Sequence, residues 1–128
     1  MGDFRKLKVW KVVHSLTVKL YKITQELPEE EKFGLVSQLR RAAFSVESNI
    51  AEGEVRFTNN DKNNFFMISR VSVAEICTQL LVVADIYTKL NKEATILSEE
   101  YDVLGKKLTS LIKYRRAATY KPKDQLTQ

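Results

Sequence analysis

The sequence predicts an all-α fold, an up-down-up-down antiparallel four-helix bundle, on three observations. Helical periodicity runs through most of the chain, with only four Gly and two Pro in 128 residues to interrupt it. No stretch alternates apolar and polar residues over a strand's length, and no hairpin dipeptide such as Asn-Gly or Asp-Gly occurs. The connections between periodic stretches are short and polar, which sets consecutive helices side by side and antiparallel.

The first helix is expected from Lys6 to Leu27, stopping before Pro28. The second follows the acidic turn Pro28-Glu29-Glu30-Glu31 and extends to Glu52, with Gly53 as its C′ residue. The third begins after Thr58-Asn59-Asn60, where Thr or Asn supplies a cap, and continues to Leu90. The fourth is expected to start at Ser98 as N-cap, with Glu99, Glu100 and Asp102 complementing the helix dipole, and to end near Arg116. Residues 1–116 then form the bundle, and residues 117–128, with Pro122, a frayed basic tail.

At this length one domain with a single core is expected. No segment approaches roughly 18 consecutive apolar residues, and the N-terminus is too polar for a signal peptide. Gly2 opens no myristoylation signal, because position 6 is Lys rather than Ser or Thr. Cys77, the single cysteine, forms no internal disulfide and no zinc site alone. The expectation is a cytoplasmic protein without membrane contact.

The stretch Gln38–Gly53 is unusual. Gln38, Arg41, Ser45, Asn49 and Glu52 share one arc of about 80°, beside an apolar stripe of Leu35, Leu39, Ala42, Ala43, Val46 and Ile50. Buried polar groups need partners, at a cost of about 1–3 kcal/mol each when left without one. The third helix offers Ser72, Glu75 and Gln79 at matching spacing. One antiparallel register pairs Gln38 with Gln79, Arg41 with Glu75 and Ser45 with Ser72, so a structural polar ladder is expected, in which loss of Arg41 destabilises the fold. A catalytic or ligand pocket of Arg41, Asn49, Glu52 and Glu75 is the weaker alternative, since each group has a partner of matching chemistry.

The first and third helices carry apolar residues around more of their circumference than the arc of a little over 100° that a peripheral helix needs. On the first, only Lys8, Lys11, Ser15, Lys19, Lys22 and Glu26 form a polar strip. On the third, Arg70, Glu75 and Asp85 are the only charges between Phe65 and Tyr87. A homo-oligomer is therefore expected, with Trp10, Val18 and Tyr21 as interface residues.

No catalytic residue, metal ligand, cofactor or small-molecule substrate is predicted. His14 has no triad or metal partner and is read as a packed or interface side chain. Cys77, among Ile76, Leu80 and Leu81, is read as a buried inert thiol. Tyr87, Tyr101, Tyr114 and the Phe residues at helical spacing are read as core rather than base-stacking platforms.

The run Gln38-Leu39-Arg40-Arg41-Ala42, then Ser45, Asn49-Ile50-Ala51-Glu52-Gly53 and Arg56, resembles the four-helix-bundle proteins encoded within bacterial 23S rRNA intervening sequences. Leu7-x-x-Trp10, Phe33-Gly34-Leu35 and Ser72-x-x-Glu75-x-x-x-Gln79-Leu80 extend the resemblance over about residues 4–115. Val71 departs from it, standing where a glycine is expected before the serine. The resemblance implies a bacterial cytoplasmic protein assembling as a ring, a pentamer, and a distant relation to the accessory proteins of diversity-generating retroelements, whose basic barrels bind a reverse transcriptase and nucleic acid. It implies no catalytic residues.

Charge is uneven along the chain: residues 1–27 carry six basic and two acidic side chains, residues 28–104 eight and thirteen, residues 105–128 seven and one. In an up-down-up-down bundle the first and last segments meet at one end. Arg5, Lys6, Lys8 and Lys11 then approach Lys113, Arg115 and Arg116, with Lys121 and Lys123 on the tail, while Lys19 and Lys22 continue a stripe. Multiplied by a ring, this becomes a basic rim suited to the phosphates of RNA or a nucleoprotein. A protein-interaction scaffold without nucleic acid is the alternative.

Overall fold

The computed structural model describes residues 3–119, and these contain four long helices and no strand. They are α1 (Lys8–Gln25), α2 (Leu35–Glu54), α3 (Asn59–Ile86) and α4 (Asn91–Thr119). Each packs against the next, and α4 returns against α1, so the four form a square bundle. Specific contacts fix the antiparallel register. His14 meets Glu47 and Tyr21 meets Phe44; Ser45 meets Ser72; Cys77 meets Ser98 and Asn63 meets Ile112; Lys19 meets Glu100.

Several expected boundaries move. The first α-helix begins at Lys8, because Asp3 caps a separate 3₁₀ turn, Phe4–Lys6. The acidic residues Glu29–Glu31 form another 3₁₀ turn, and α2 starts only after Gly34. The third helix ends at Ile86 rather than Leu90. A 3₁₀ turn, Thr88–Leu90, leads directly into α4, which starts seven residues before the expected Ser98. The Asn91 side-chain amide donates to Ala84 O at 3.0 Å, satisfying a carbonyl at the end of α3. Ser98 is no cap: it is buried within α4, on a stripe that includes Leu90, Ala94, Leu97, Tyr101, Leu104, Leu108 and Ile112 at spacings of three and four. Residues 120–128, most of the expected tail, with Lys121 and Lys123, lie outside the described residues.

Gly53 is also not a C′ residue. It lies inside α2, without positive φ, and is buried where α2 crosses α3. A Cβ there would stand 2.9 Å from Phe66 Cδ1 and 3.2 Å from the backbone oxygen of Lys62. The missing side chain lets the two helices approach.

The ladder between α2 and α3 forms at one rung. Ser72 Oγ donates to Ser45 Oγ at 2.8 Å, and just beyond it Ser69 Oγ donates to Val46 O at 2.9 Å. The other two rungs do not form. Arg41 is exposed and donates to Gln38 on its own helix, Glu75 is exposed, and Gln79 Oε1 is buried without a hydrogen-bond partner among the described residues. Asn49 donates to Ser45 O at 2.8 Å, and Glu52 pairs with Arg56, both four residues away along the chain. Long polar side chains on a helix find i, i+3 and i, i+4 neighbours as readily as a facing helix. Arg41 therefore does not hold the two helices together.

The aromatic residues divide. Phe66 and Tyr101 are wholly buried, while Phe33, Phe44 and Tyr114 are exposed, contrary to a core placement, as is Phe57 in the turn between α2 and α3. Tyr87, half-buried, donates to the Glu31 carboxylate and ties the α1–α2 turn to the end of α3. That bond, helped by desolvation and by the charges of Glu31 and Glu30, pushes the phenol up to about 12. An unfolded tyrosine titrates near 10. The stability linked to this proton is thus intact below about pH 10 and lost as pH rises towards 12. Thermal unfolding from pH 9 to 12 should show a fall in midpoint that is shallower in Tyr87→Phe; equal slopes would contradict the assignment.

Candidate nucleic-acid interface

The start of α1, the turn between α2 and α3, and the end of α4 lie at one end of the bundle. Asn59 Nδ2 reaches Thr119 Oγ1 at 3.1 Å, and Asn63 Nδ2 reaches Ile112 O at 3.1 Å, which places Lys113 to Arg116 beside the first turns of α3. The register of α1 against α4 brings Lys8 to the same level.

The cations at this end differ in availability. Lys6, Lys8, Lys11 and Lys113 are exposed and, among the described residues, in no ion pair; Lys22, farther along α1, is likewise exposed and unpaired. Arg116 is exposed, with Nη2 against Met67 Sδ at 3.5 Å. Arg5 is held by Asp3 through Nε and Nη2 at 3.1 and 3.2 Å, and its guanidinium keeps that carboxyl below the usual carboxylate range. Lys19 is paired with Glu100 at 2.8 Å. Arg115 is the largest departure from the expected rim. It is half-buried, its guanidinium lies 4.3 Å from the centre of the Phe66 ring, and Nη1 has no hydrogen-bond partner among the described residues. Desolvation lowers its affinity for the proton. Arg115 closes the end of the core, and the expected stripe through Lys19 is interrupted.

Four residues outside the expected set stand at this end. Arg56 pairs with Glu52 at 2.5 Å and stacks over Phe65 at 4.7 Å, and Lys62 Nζ donates to Glu54 O at 2.8 Å. Phe57, in the α2–α3 turn, is 85% exposed, and Tyr114, on α4, is 73% exposed. The signal for both lay in their neighbours: Phe57 follows Arg56 in a polar turn, and Tyr114 sits between Lys113 and Arg115. An aromatic ring left in water among cations offers a face on which a base can stack.

The three expected interface residues also separate. Val18 is exposed. Trp10 is half-buried, edge-on to Phe4 at 5.3 Å and stacked on His14 at 5.0 Å; His14 Nδ1 in turn lies 3.0 Å from Glu47 Oε2. Tyr21 packs edge-on against Phe44 at 6.0 Å and beneath the Arg40 guanidinium at 4.4 Å. Cys77 is half-buried, with Sγ 3.5 Å from Ser98 O, and burial pushes its thiol up. Among the described residues, no three His, Cys, Asp or Glu side chains converge as a metal site would require.

A family model described as 23S rRNA-intervening sequence protein matches residues 5–110, and the chain belongs to that family. No curated protein matches the chain.

Proposed function

We propose that this member of the 23S rRNA-intervening sequence protein family is a non-enzymatic binding module. It assembles as a homo-oligomeric ring, a pentamer, and engages RNA or a nucleoprotein through its basic end. The observation that carries this reading is the pairing of cations with exposed aromatics at one end. Lys6, Lys8, Lys113 and Arg116, all exposed, share one end of the bundle with Phe57 and Tyr114, whose rings stand in water. Cations release counterions from a phosphate backbone without reading sequence, and aromatic faces stack unpaired bases, so single-stranded or looped RNA is the favoured form. Repetition around a ring would multiply both effects.

The test is fluorescence anisotropy of a labelled looped RNA across a salt series. Binding should weaken steeply between about 50 and 200 mM salt. Lys113→Glu with Arg116→Glu should weaken binding and flatten the salt slope by about one unit per charge. Phe57→Ala with Tyr114→Ala should weaken binding by about 1–3 kcal/mol per stacked base while leaving the slope unchanged. No binding at the lowest salt would overturn the nucleic-acid reading. The protein-interaction scaffold would then stand, a reading favoured by the engagement of Arg5, Lys19 and Arg56 with carboxylates of their own chain.

A further inference from the structure

Three consecutive residues near the start of α3 each seat one arginine. The Phe65 ring lies beneath the Arg56 guanidinium at 4.7 Å, and the Phe66 ring beneath that of Arg115 at 4.3 Å. Met67 Sδ accepts from Arg116 Nη2 at 3.5 Å. Helical geometry explains the fan. Successive side chains leave a helix about 100° apart, so Phe66 is buried while Phe65 and Met67 stand half-buried on either side of it. Arg115 and Arg116 are neighbours on α4 and meet the neighbours Phe66 and Met67. Arg56, in the turn before α3, reaches Phe65.

The three seats differ in what they leave to a ligand. Arg56 is also paired with Glu52 at 2.5 Å, and Arg115 is half-buried against the core. Arg116 is exposed and, among the described residues, in no ion pair. A thioether is a weak and uncharged acceptor, so Met67 positions this guanidinium without neutralising it. The planar N–H groups of Arg116 stay available to a phosphate.

We propose that Met67 is an oxidation site whose sulfoxide draws Arg116 away from the nucleic-acid surface. The proposal rests on the nucleic-acid reading of the basic end and adds its regulation by peroxide. The Met67 sulfur attacks one oxygen of hydrogen peroxide. An S–O bond forms, the O–O bond breaks, and the departing hydroxide takes the proton of the transferred oxygen to leave as water. Sulfur loses two electrons and peroxide gains them. The new oxygen is a strong acceptor on the atom that Arg116 Nη2 already faces. A charge-assisted hydrogen bond then replaces a weak one and turns the guanidinium edge onto α3. Half-burial leaves the sulfur within reach of so small an oxidant. The second sulfur among the described residues, Cys77, is a poorer target. Burial pushes its thiol up, and the thiolate is the reactive form.

The test exposes the full chain to hydrogen peroxide until the peptide containing Met67 gains one oxygen by mass spectrometry. Met67→Leu is treated in parallel; it takes no oxygen at this position, while Cys77 and Met1 are common to both chains. Nitrogen-15 spectra of the arginine side chains should show the Arg116 signal shifting, and its protons exchanging more slowly with water, in the oxidised wild type alone. In the looped-RNA salt series the oxidised wild type should lose about 0.7 unit of slope, the share of one phosphate contact on a single strand. Oxidised Met67→Leu should match its untreated form, and Arg116→Gln should lose no further slope on oxidation. Met67→Gln places an amide oxygen beside Arg116 and should lower the slope as oxidation does, which keeps the test decisive if the oxidised chain unfolds. An Arg116 signal unmoved by oxidation, or a Met67 that resists peroxide in the folded chain, would overturn the proposal whether or not RNA binds. An equal loss of slope in Met67→Leu would overturn it too, by assigning the effect to another residue. A shifted Arg116 signal in a protein that binds no RNA at the lowest salt would overturn the nucleic-acid reading and the regulation, and leave the seat itself established.

Discussion

Phe66→Ala is expected to lower the unfolding free energy by about 3–5 kcal/mol. The ring is wholly buried at the α2–α3 crossing, it fills the space that Gly53 leaves open, and its face carries the Arg115 guanidinium at 4.3 Å. Truncation therefore opens a cavity and removes a cation–π contact of about 0.5–2 kcal/mol. It also leaves a half-buried arginine, already desolvated, with less to compensate its charge. Urea unfolding at fixed protein concentration would show the loss as a lower midpoint with little change in slope. Phe66→Leu should lose less in volume but still lose the cation–π contact. A shift below 1 kcal/mol for the alanine variant would mean that the crossing collapses freely around the missing ring.

Gly53→Leu is expected to be the next most damaging change, at the upper end of about 1–3 kcal/mol for overpacking. Leucine favours a helix over glycine by nearly 1 kcal/mol, which opposes the loss. Packing wins because one of the close atoms is the Lys62 backbone oxygen, which cannot rotate aside. The helices must separate, and the separation moves the turn that carries Arg56 and Phe57. The effects of Gly53→Ala and Phe66→Leu should be non-additive, since removing the ring relieves the clash at Phe66 Cδ1. A double-mutant cycle that summed within about 0.3 kcal/mol would show that the two residues do not share the crossing. RNA affinity measured on a still-folded Gly53→Ala variant would report whether the basic end depends on this approach.

The fold class was legible because it follows from periodicity, a property of the chain alone. Leu35, Leu39, Val46 and Ile50 on one side, with few helix breakers anywhere, admit little but helices packed on a common core. Charge segregation was equally legible, since the termini are basic whatever the packing. The start of α4 was misread because Ser98 followed by acidic residues has the chemistry of an N-cap. Nothing local shows that its hydroxyl is needed inside, 3.5 Å from Cys77 O. The ladder between α2 and α3 was read from spacing, which fixes which residues share a face but not how far a flexible side chain reaches along its own helix.

Sequence alone therefore determined the helices, their antiparallel order and the basic character of one end, because each depends on short-range pattern and on composition. Tertiary structure decided which cations remain free, since Arg115 is drawn under the core and Lys19 is held by Glu100. It also decided that Phe57 and Tyr114 stand in water, and that Gly53 serves a helix crossing rather than a helix end. Those outcomes depend on distances between residues far apart in the chain, and only the packed bundle sets such distances.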